Sequence, residues 1–253
     1  MGLREIAVGA LLMFNEVRHP DLGLSMLPIT LAFLAGYLWG GVPTAYLWAR
    51  FRGGIDIRQY GSGSMGASNV IAHVGRRSGM VLGLVDGFVK GTAPVVVANY
   101  LGYSEWVQAT AGLGAVVGHN WSPYLRFTGG RGIATTVGIL IGFGMWPELL
   151  FGVIVGGVWG GLLRKQSAIY LLAVMALNLP LAFMLNELDV IERNTVHMTV
   201  LWSVLALMVL KRLVANWQSP LEGEPMVRVL RYRLLFDRDI ANRDEWITRR
   251  PDE

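Results

Sequence analysis

An uncharged stretch near the start of the chain, Leu27–Trp48 (LPITLAFLAGYLWGGVPTAYLW), decides the fold class. It is long enough to cross the ~30 Å hydrocarbon core of a bilayer, which takes about 20 mainly apolar residues. One apolar helix could also fill the core of a soluble protein. The composition argues against that, because 53% of the residues are hydrophobic and only 16% are charged. In soluble domains about a quarter of the residues are charged.

Six further apolar segments follow, several of them shorter than a helix that crosses a membrane along its normal. They are Gly79–Tyr100, Trp106–Trp121, Ile133–Phe143, Pro147–Leu163, Ala168–Leu185 and Val196–Leu210. The second and third of these are rich in glycine, which suits closely packed membrane helices, although either could be a re-entrant piece. The sequence therefore predicts an all-α, polytopic membrane bundle of about seven transmembrane helices.

The basic residues predict the orientation of this bundle. Most of the 22 Lys and Arg residues fall in regions that seven spans place on one side: 49–78, 122–131, 164–167 and the tail after 210. Cytoplasmic loops carry such an excess. We therefore expect the N-terminus outside, the C-terminus in the cytoplasm, and the polar loops at the cytoplasmic face.

Three regions are predicted. Residues 1–22 form a short interfacial segment, 23–223 the membrane domain, and 224–253 a basic amphipathic tail that lies on the membrane or in solvent. The net charge of +4 suits loops that face anionic lipid, and no motif points to nucleic acid. The absence of cysteine excludes disulfides and thiolate chemistry.

The most informative polar stretch is Gly61-Ser62-Gly63-Ser64-Met65-Gly66-Ala67-Ser68-Asn69, in the first cytoplasmic loop. Its glycines permit positive φ and close backbone approach. A loop of this kind that enters a helix can present several N–H groups to one anion. A flexible glycine-serine linker is the alternative. It is not a Walker A loop, because no Gly-Lys-Ser/Thr follows.

A second polar stretch lies on the same face and contains a glycine-flanked arginine. It consists of Gly118–Pro123 followed by Phe127-Thr128-Gly129-Gly130-Arg131-Gly132. The guanidinium of Arg131 can bind two oxygens of a phosphate at once. His119 could act as a base or a donor, but a histidine near a helix end is more often a hydrogen-bonded structural residue.

Two charged residues, Asp86 and Lys90, lie inside the second apolar segment and share one helix face. Charges at this depth usually pair or line a cavity, so an internal ion pair and direct catalysis both stay open. Arg50, Ser167 and Asn216 lie in or beside other basic loops of the same face. Together these groups predict a site for a phosphate-bearing substrate at the inner leaflet.

These motifs resemble the bacterial acyl-phosphate:glycerol-3-phosphate acyltransferases over roughly residues 30–223. Arg164 and Ser167 match an Arg-x-x-Ser turn of that family. The other similar residues are Gly41–Tyr46, Gly54–Arg58, Gly61–Asn69, Asp86, Lys90, Gly91, Pro94, Gly118, His119 and Phe127–Thr135. The combination is specific, although each piece alone is weak.

The resemblance implies a seven-helix bacterial inner-membrane enzyme that transfers a fatty acyl chain from acyl phosphate to glycerol 3-phosphate. The products are lysophosphatidate and phosphate, and the family uses no metal or other cofactor. Besides the two substrates, membrane lipid is the expected partner; the oligomeric state stays open. The implied catalytic residues are Ser62, Ser68, Asn69 and Ser167. The implied substrate-binding residues are Arg50, Gly61, Gly63, Ser64, Gly66, Ala67, Asp86, Lys90, His119, Gly129, Gly130, Arg131, Gly132 and Asn216.

The sequence departs from the family mainly on the acceptor side. Ala72 stands where the family has an arginine, and Leu213 stands where its last block has a histidine. Ser64-Met65 replaces Asn-Pro, which is a milder change. An acyltransferase with a different acceptor is therefore one alternative. A transporter for an anionic substrate and a structural membrane subunit are the others, although polar groups gathered at one face favour an enzyme over a transporter.

Overall fold

The computed structural model describes residues 26–163, 167–215, 225–240 and 242–248, and within them the regular elements are helical. Extended pairing there is limited to one isolated bridge between Ser122 and Thr128. The principal helices are α1 (Met26–Gly41), α2 (Thr44–Gly53), α3 (Ala67–His73), α4 (Arg76–Tyr100), α5 (Glu105–Asn120), α6 (Ile133–Gly142), α7 (Trp146–Phe151 continued by Gly152–Leu163), α8 (Ser167–Glu187), α9 (Thr195–Val214), α10 (Met226–Phe236) and α11 (Arg243–Thr248).

Each of the seven apolar segments coincides with a helix, so the predicted all-α class is confirmed. The first segment is interrupted, because α1 ends at Gly41 and α2 begins after Pro43. Proline disfavours helical geometry in the residue before it and has no N–H to donate. The helix is therefore interrupted between Gly41 and Thr44.

Four helical stretches are long and apolar enough to cross a membrane. They are Met26–Gly53, Arg76–Tyr100, Ala168–Glu187 and Thr195–Val214. The other three are shorter, and the 10 residues of α6 rise only about 15 Å. Whether α5, α6 and α7 cross the bilayer stays a prediction.

Small residues bring α1 and α5 together. A side chain at Gly36 or Gly40 of α1 would overlap the backbone of Ala111 or Ala115, and one at Gly118 of α5 would overlap the Tyr37 carbonyl. Glycines spaced four apart on both helices thus let the backbones touch, a common way for membrane helices to associate. Since α5 is buried along most of its length, this contact fixes the centre of the bundle.

The middle of α4 is a π-helix, Val85–Thr92, that contains both Asp86 and Lys90. Its Gly91 packs against the backbone of Thr135 and Gly138 in α6. Such π segments are rare and occur frequently at functional sites. Here the segment brings two charged side chains into the interior.

The tail contains a docked helix. In α10, Val229 and Arg233 are buried, and Arg233 pairs with Asp239 at 2.7 Å. The tail is helical over Met226–Phe236, and one face of that helix packs on the bundle; the predicted region 224–253 as a basic tail on the membrane or in solvent stays a prediction. The predicted interfacial segment 1–22 lies outside the described residues.

Candidate active site

The first polar loop begins after a fixed turn. Asp56 accepts hydrogen bonds from the backbone N–H and the side chain of Arg58, the shortest at 2.6 Å. The side-chain bond from Arg58 holds the pKa of Asp56 below its ordinary value. Because this pKa is lowered, the pair contributes to stability above the ordinary carboxyl range and loses that contribution as pH falls through the lowered pKa.

The loop itself folds around two left-handed glycines. Gly61 and Gly63 have φ of 52° and 63°, which side-chain-bearing residues rarely adopt. The backbone N–H of Ser64 donates to the Ser62 hydroxyl at 3.3 Å. The Ser64 hydroxyl is buried and has no hydrogen-bond partner among the described residues. The loop therefore forms a turn with a polar atom available for a ligand, which favours the anion site over the linker.

Asn69 is the residue that holds this loop in shape. Its amide nitrogen lies 3.0–3.1 Å from the carbonyl oxygens of Ile57, Tyr60 and Ser64. An amide with two hydrogens shared among three acceptors is committed to the loop backbone. The geometry gives Asn69 a positioning role, while its predicted catalytic role remains a prediction.

The other predicted residues of the loop differ in exposure. Ser62, Gly66 and Ala67 are half-buried, and Ser68 is exposed on the first turn of α3. A hydroxyl at Ser68 can therefore meet a ligand from solvent.

The two polar stretches are joined directly. The N–H of Met65 donates to the carbonyl of Gly129 at 3.3 Å, and the N–H of Gly130 donates to the carbonyl of His119 at 3.0 Å. A Cβ at Gly130 would overlap the His119 imidazole. The first loop, the glycine pair and His119 therefore form one packed unit, while their common place at the cytoplasmic face stays a prediction.

A buried polar cluster lies behind His119. Lys90 pairs with Asp86 at 2.8 Å, and Thr44 bridges them, donating to Asp86 at 3.1 Å and accepting from Lys90 at 2.8 Å. The His119 ring nitrogen lies 3.8 Å from Asp86. The ion pair that the sequence left open is therefore present, and it is held by Thr44, which lies in the family-like stretch Gly41–Tyr46 but had been given no role.

Arg131 lies on the other side of the glycine pair. Its guanidinium is bound by the carboxylate of Asp237, at 2.8–2.9 Å from Nε. One terminal nitrogen of Arg131 is buried with no hydrogen-bond partner in the part of the chain that the structure describes. Gly132 packs against the Asn120 side chain. Arg131 therefore has a donor without a partner among the described residues, and the polar side chain of Asn120 lies beside the neighbouring Gly132.

Further polar residues, to which the sequence had assigned no individual role, surround this point. Lys211 donates to the Asn120 carbonyl and lies 5.1 Å from the Trp121 ring centre. The side chains of Asn120 and Thr135 are buried without hydrogen-bond partners among the described residues. Asn120 and Lys211 sit in stretches the sequence had marked as polar or basic, so both could have been found there.

Three predicted residues are not brought into this cluster by any described contact. Arg50 is exposed near the end of α2, where its charge acts on Asp56. Ser167 begins α8, but its side chain is outside the described part. Asn216 is also outside it. Their predicted roles stay predictions.

An apolar groove extends from Trp39 away from the polar loops, toward the Met26 end of α1 and the Tyr100 end of α4. Its volume is about 630 Å³ and it lies between α1, α4 and α5, within the usual size range of small-molecule sites. Trp39 lines one part of it and donates to the Val89 carbonyl at 2.7 Å, one residue before Lys90. The groove is lined almost entirely by apolar groups, so it suits a hydrocarbon chain.

Comparisons with known proteins show which family this chain resembles. A sequence profile described as glycerol-3-phosphate acyltransferase matches residues 30–223. Glycerol-3-phosphate acyltransferase 4 of Dehalococcoides mccartyi strain CBDB1 is 37% identical over 228 residues, with 88% of this chain and 95% of the relative covered. Glycerol-3-phosphate acyltransferase 5 from another strain of that species is 36% identical, with 85% and 91% covered.

The fold is also similar to a crystal structure. PlsY (YgiH), an integral membrane glycerol 3-phosphate acyltransferase in its glycerol 3-phosphate form, superposes with a TM-score of 0.60 at 25% identity, over 74% of this chain and 87% of that one. Its lysophosphatidic acid form gives the same TM-score at 23% identity.

Proposed function

The chain belongs to the glycerol-3-phosphate acyltransferase family, and from that premise we propose that it makes lysophosphatidate from acyl phosphate and glycerol 3-phosphate. The acceptor's 1-hydroxyl oxygen bonds to the acyl carbonyl carbon, the carbon–oxygen bond to phosphate breaks, and the hydroxyl proton leaves with phosphate or to solvent. It is an integral membrane protein of phospholipid synthesis.

The observation that carries this proposal is the direct junction of the two polar loops. Acyl phosphate is already activated, because phosphate is a good leaving group, so the protein has mainly to align two substrates and stabilise charge. The bond from Met65 to Gly129 sets a loop suited to one phosphate beside an arginine suited to another. Two phosphate-bearing substrates need such an arrangement.

We assign the phosphate of the donor to the first loop. Ser62, Gly63, Ser68, Asn69 and Ser167 are the residues that the family resemblance assigns to the leaving phosphate. The left-handed glycines and the unpartnered Ser64 hydroxyl support the assignment, since both favour an anion close to the backbone. Asn69 contributes by shaping the loop.

The phosphate of the acceptor is assigned to Arg131. Its unused buried donor, the nearby ammonium of Lys211 and the unpartnered amide of Asn120 support this, because charge-assisted bonds from several donors suit a phosphate. The acyl chain is assigned to the groove between α1, α4 and α5, which it would enter from lipid.

The membrane arrangement belongs to the same proposal. Seven helices cross the inner membrane, the N-terminus lies outside, and the polar loops and the tail face the cytoplasm. The distribution of Lys and Arg supports this orientation. Both phosphate sites then open to the side where soluble glycerol 3-phosphate is available.

A direct assay tests the reaction. Purified protein in detergent or vesicles is given acyl phosphate with glycerol 3-phosphate, and phosphate release and lysophosphatidate are measured together. We expect equal amounts of both products, and we expect Arg131→Ala to raise KM for glycerol 3-phosphate strongly. Phosphate release without lysophosphatidate, with transfer to another alcohol, would instead identify the altered acceptor that Ala72 and Leu213 suggest.

A further inference from the structure

The carboxylate of Asp237, in the tail, pairs with Arg131, the residue assigned to the phosphate of the acceptor. Asp237 follows directly after α10 and lies 2.8 Å from Nε of Arg131, although the two residues are 106 positions apart. Asp237 also lies beyond residues 30–223, which the family profile matches. The contact is therefore an addition to the part of the chain that carries the family motifs.

The surroundings of Asp237 are strongly cationic. Its charge interacts with those of Lys211 and Arg212 as well as with Arg131. One carboxylate thus contacts the guanidinium of Arg131 and lies near two further basic side chains, Lys211 and Arg212, from a separate part of the chain. This excess of positive charge suits a doubly charged phosphate better than a single carboxylate.

The tail is attached by specific bonds. Arg212 donates to the Leu234 carbonyl near the end of α10 and to the Ala168 carbonyl of α8, both at 2.7 Å. Arg233 donates to the Leu213 carbonyl at 3.1 Å. These bonds fix α10 against the ends of α8 and α9, and they bring Asp237 to the acceptor side.

We propose that Asp237 is a specificity-determining residue of the acceptor site, whose carboxylate occupies Arg131 until the phosphate of the acceptor displaces it. The inference rests on the acceptor role of Arg131 proposed above. Asp237 already binds Nε of this guanidinium, so a doubly charged phosphate that approaches the remaining donors is repelled by the carboxylate and binds tightly only when Asp237 is released. An alcohol without an anionic group cannot replace the carboxylate, and the site rejects it.

Substitution of Asp237 separates this role from a structural one. Asp237→Asn keeps the shape of the side chain, and asparagine tolerates the positive φ of 57° at this position. We expect KM for glycerol 3-phosphate to fall about tenfold, with kcat and KM for acyl phosphate unchanged. Glu245→Gln makes the same charge change on an exposed tail residue and is expected to leave all three values unchanged.

A second variant and a binding measurement complete the test. Asp237→Gly removes the carboxylate and suits the left-handed end of α10, so it should lower KM as well. Calorimetric titration with inorganic phosphate should show tighter binding to both variants than to the parent protein. Unchanged or weaker phosphate binding, or a KM that is unchanged or raised in both variants, overturns the inference.

The two proposals fail in different ways. If the parent protein forms no lysophosphatidate, the proposed reaction is wrong, while phosphate titration of the Asp237 variants still decides the role of the carboxylate. If the reaction proceeds but the variants bind phosphate no better, only the role of Asp237 is wrong.

Discussion

At the residue scale, Gly130 controls the position of His119. A Cβ at Gly130 would overlap the imidazole, which lies 3.8 Å from Asp86 and contacts the joined loops. Any side chain at this position must push the ring or the loop aside. The site therefore requires glycine at position 130, because every other residue would place a Cβ against the imidazole of His119.

Gly130→Ala is expected to lower acyl transfer by about 10²-fold, since a displacement of about 1 Å at a site can cost that much. Initial rates with both substrates at saturation measure the effect. Gly83→Ala is the control, because a Cβ there makes only an ordinary contact at 3.7 Å. Equal activity of the two variants would show that the position of His119 is unimportant for the reaction.

Single residues also show what sequence could predict about the site. The spacing of Asp86 and Lys90 places them on one helix face, which makes an ion pair one of two possibilities, the other being direct catalysis. Thr44 lies 42 and 46 positions away from them, and no local pattern connects it with either. The contact between Asp237 and Arg131 is equally remote, so only the packing of the chain reveals it.

At the scale of elements, the close contact of α1 and α5 depends on their glycines. Gly40→Ala puts a methyl group into the Ala115 backbone. Overpacking of this kind typically costs about 1–3 kcal/mol. We expect a lower thermal midpoint in detergent for Gly40→Ala, and an unchanged one for Gly157→Ala, where a Cβ meets nothing within 4 Å. Equal thermal midpoints for the two variants would mean that α1 and α5 can move apart without loss of stability.

The helices themselves were largely predictable. Hydrophobic runs of this density leave few alternatives to helix inside a bilayer, and each predicted segment contains one. The break at Pro43 and the π segment Val85–Thr92 were not predicted. Pro43 is itself a local signal for the break, whereas the π segment packs on α6, and hydropathy carries no information about such a contact.

At the scale of the whole molecule, the orientation in the membrane can be tested with the native chain as background, because it contains no cysteine. Leu188→Cys follows α8 and Arg77→Cys lies at the start of α4, and both positions are exposed. We expect a membrane-impermeant maleimide to label Leu188→Cys in intact cells, and Arg77→Cys only after permeabilisation. The opposite pattern, or labelling of both in intact cells, would contradict seven crossings with an external N-terminus.

The hydrogen bond from Met65 to Gly129 has a thermodynamic consequence for the order in which substrates bind. It joins the loop assigned to the donor with the loop assigned to the acceptor, so a movement of either loop changes the position of the other. Linkage requires the effect to be mutual. If bound acyl phosphate changes the affinity for glycerol 3-phosphate by some factor, bound glycerol 3-phosphate changes the affinity for acyl phosphate by the same factor. Which substrate binds first is then set by the two concentrations and association rates.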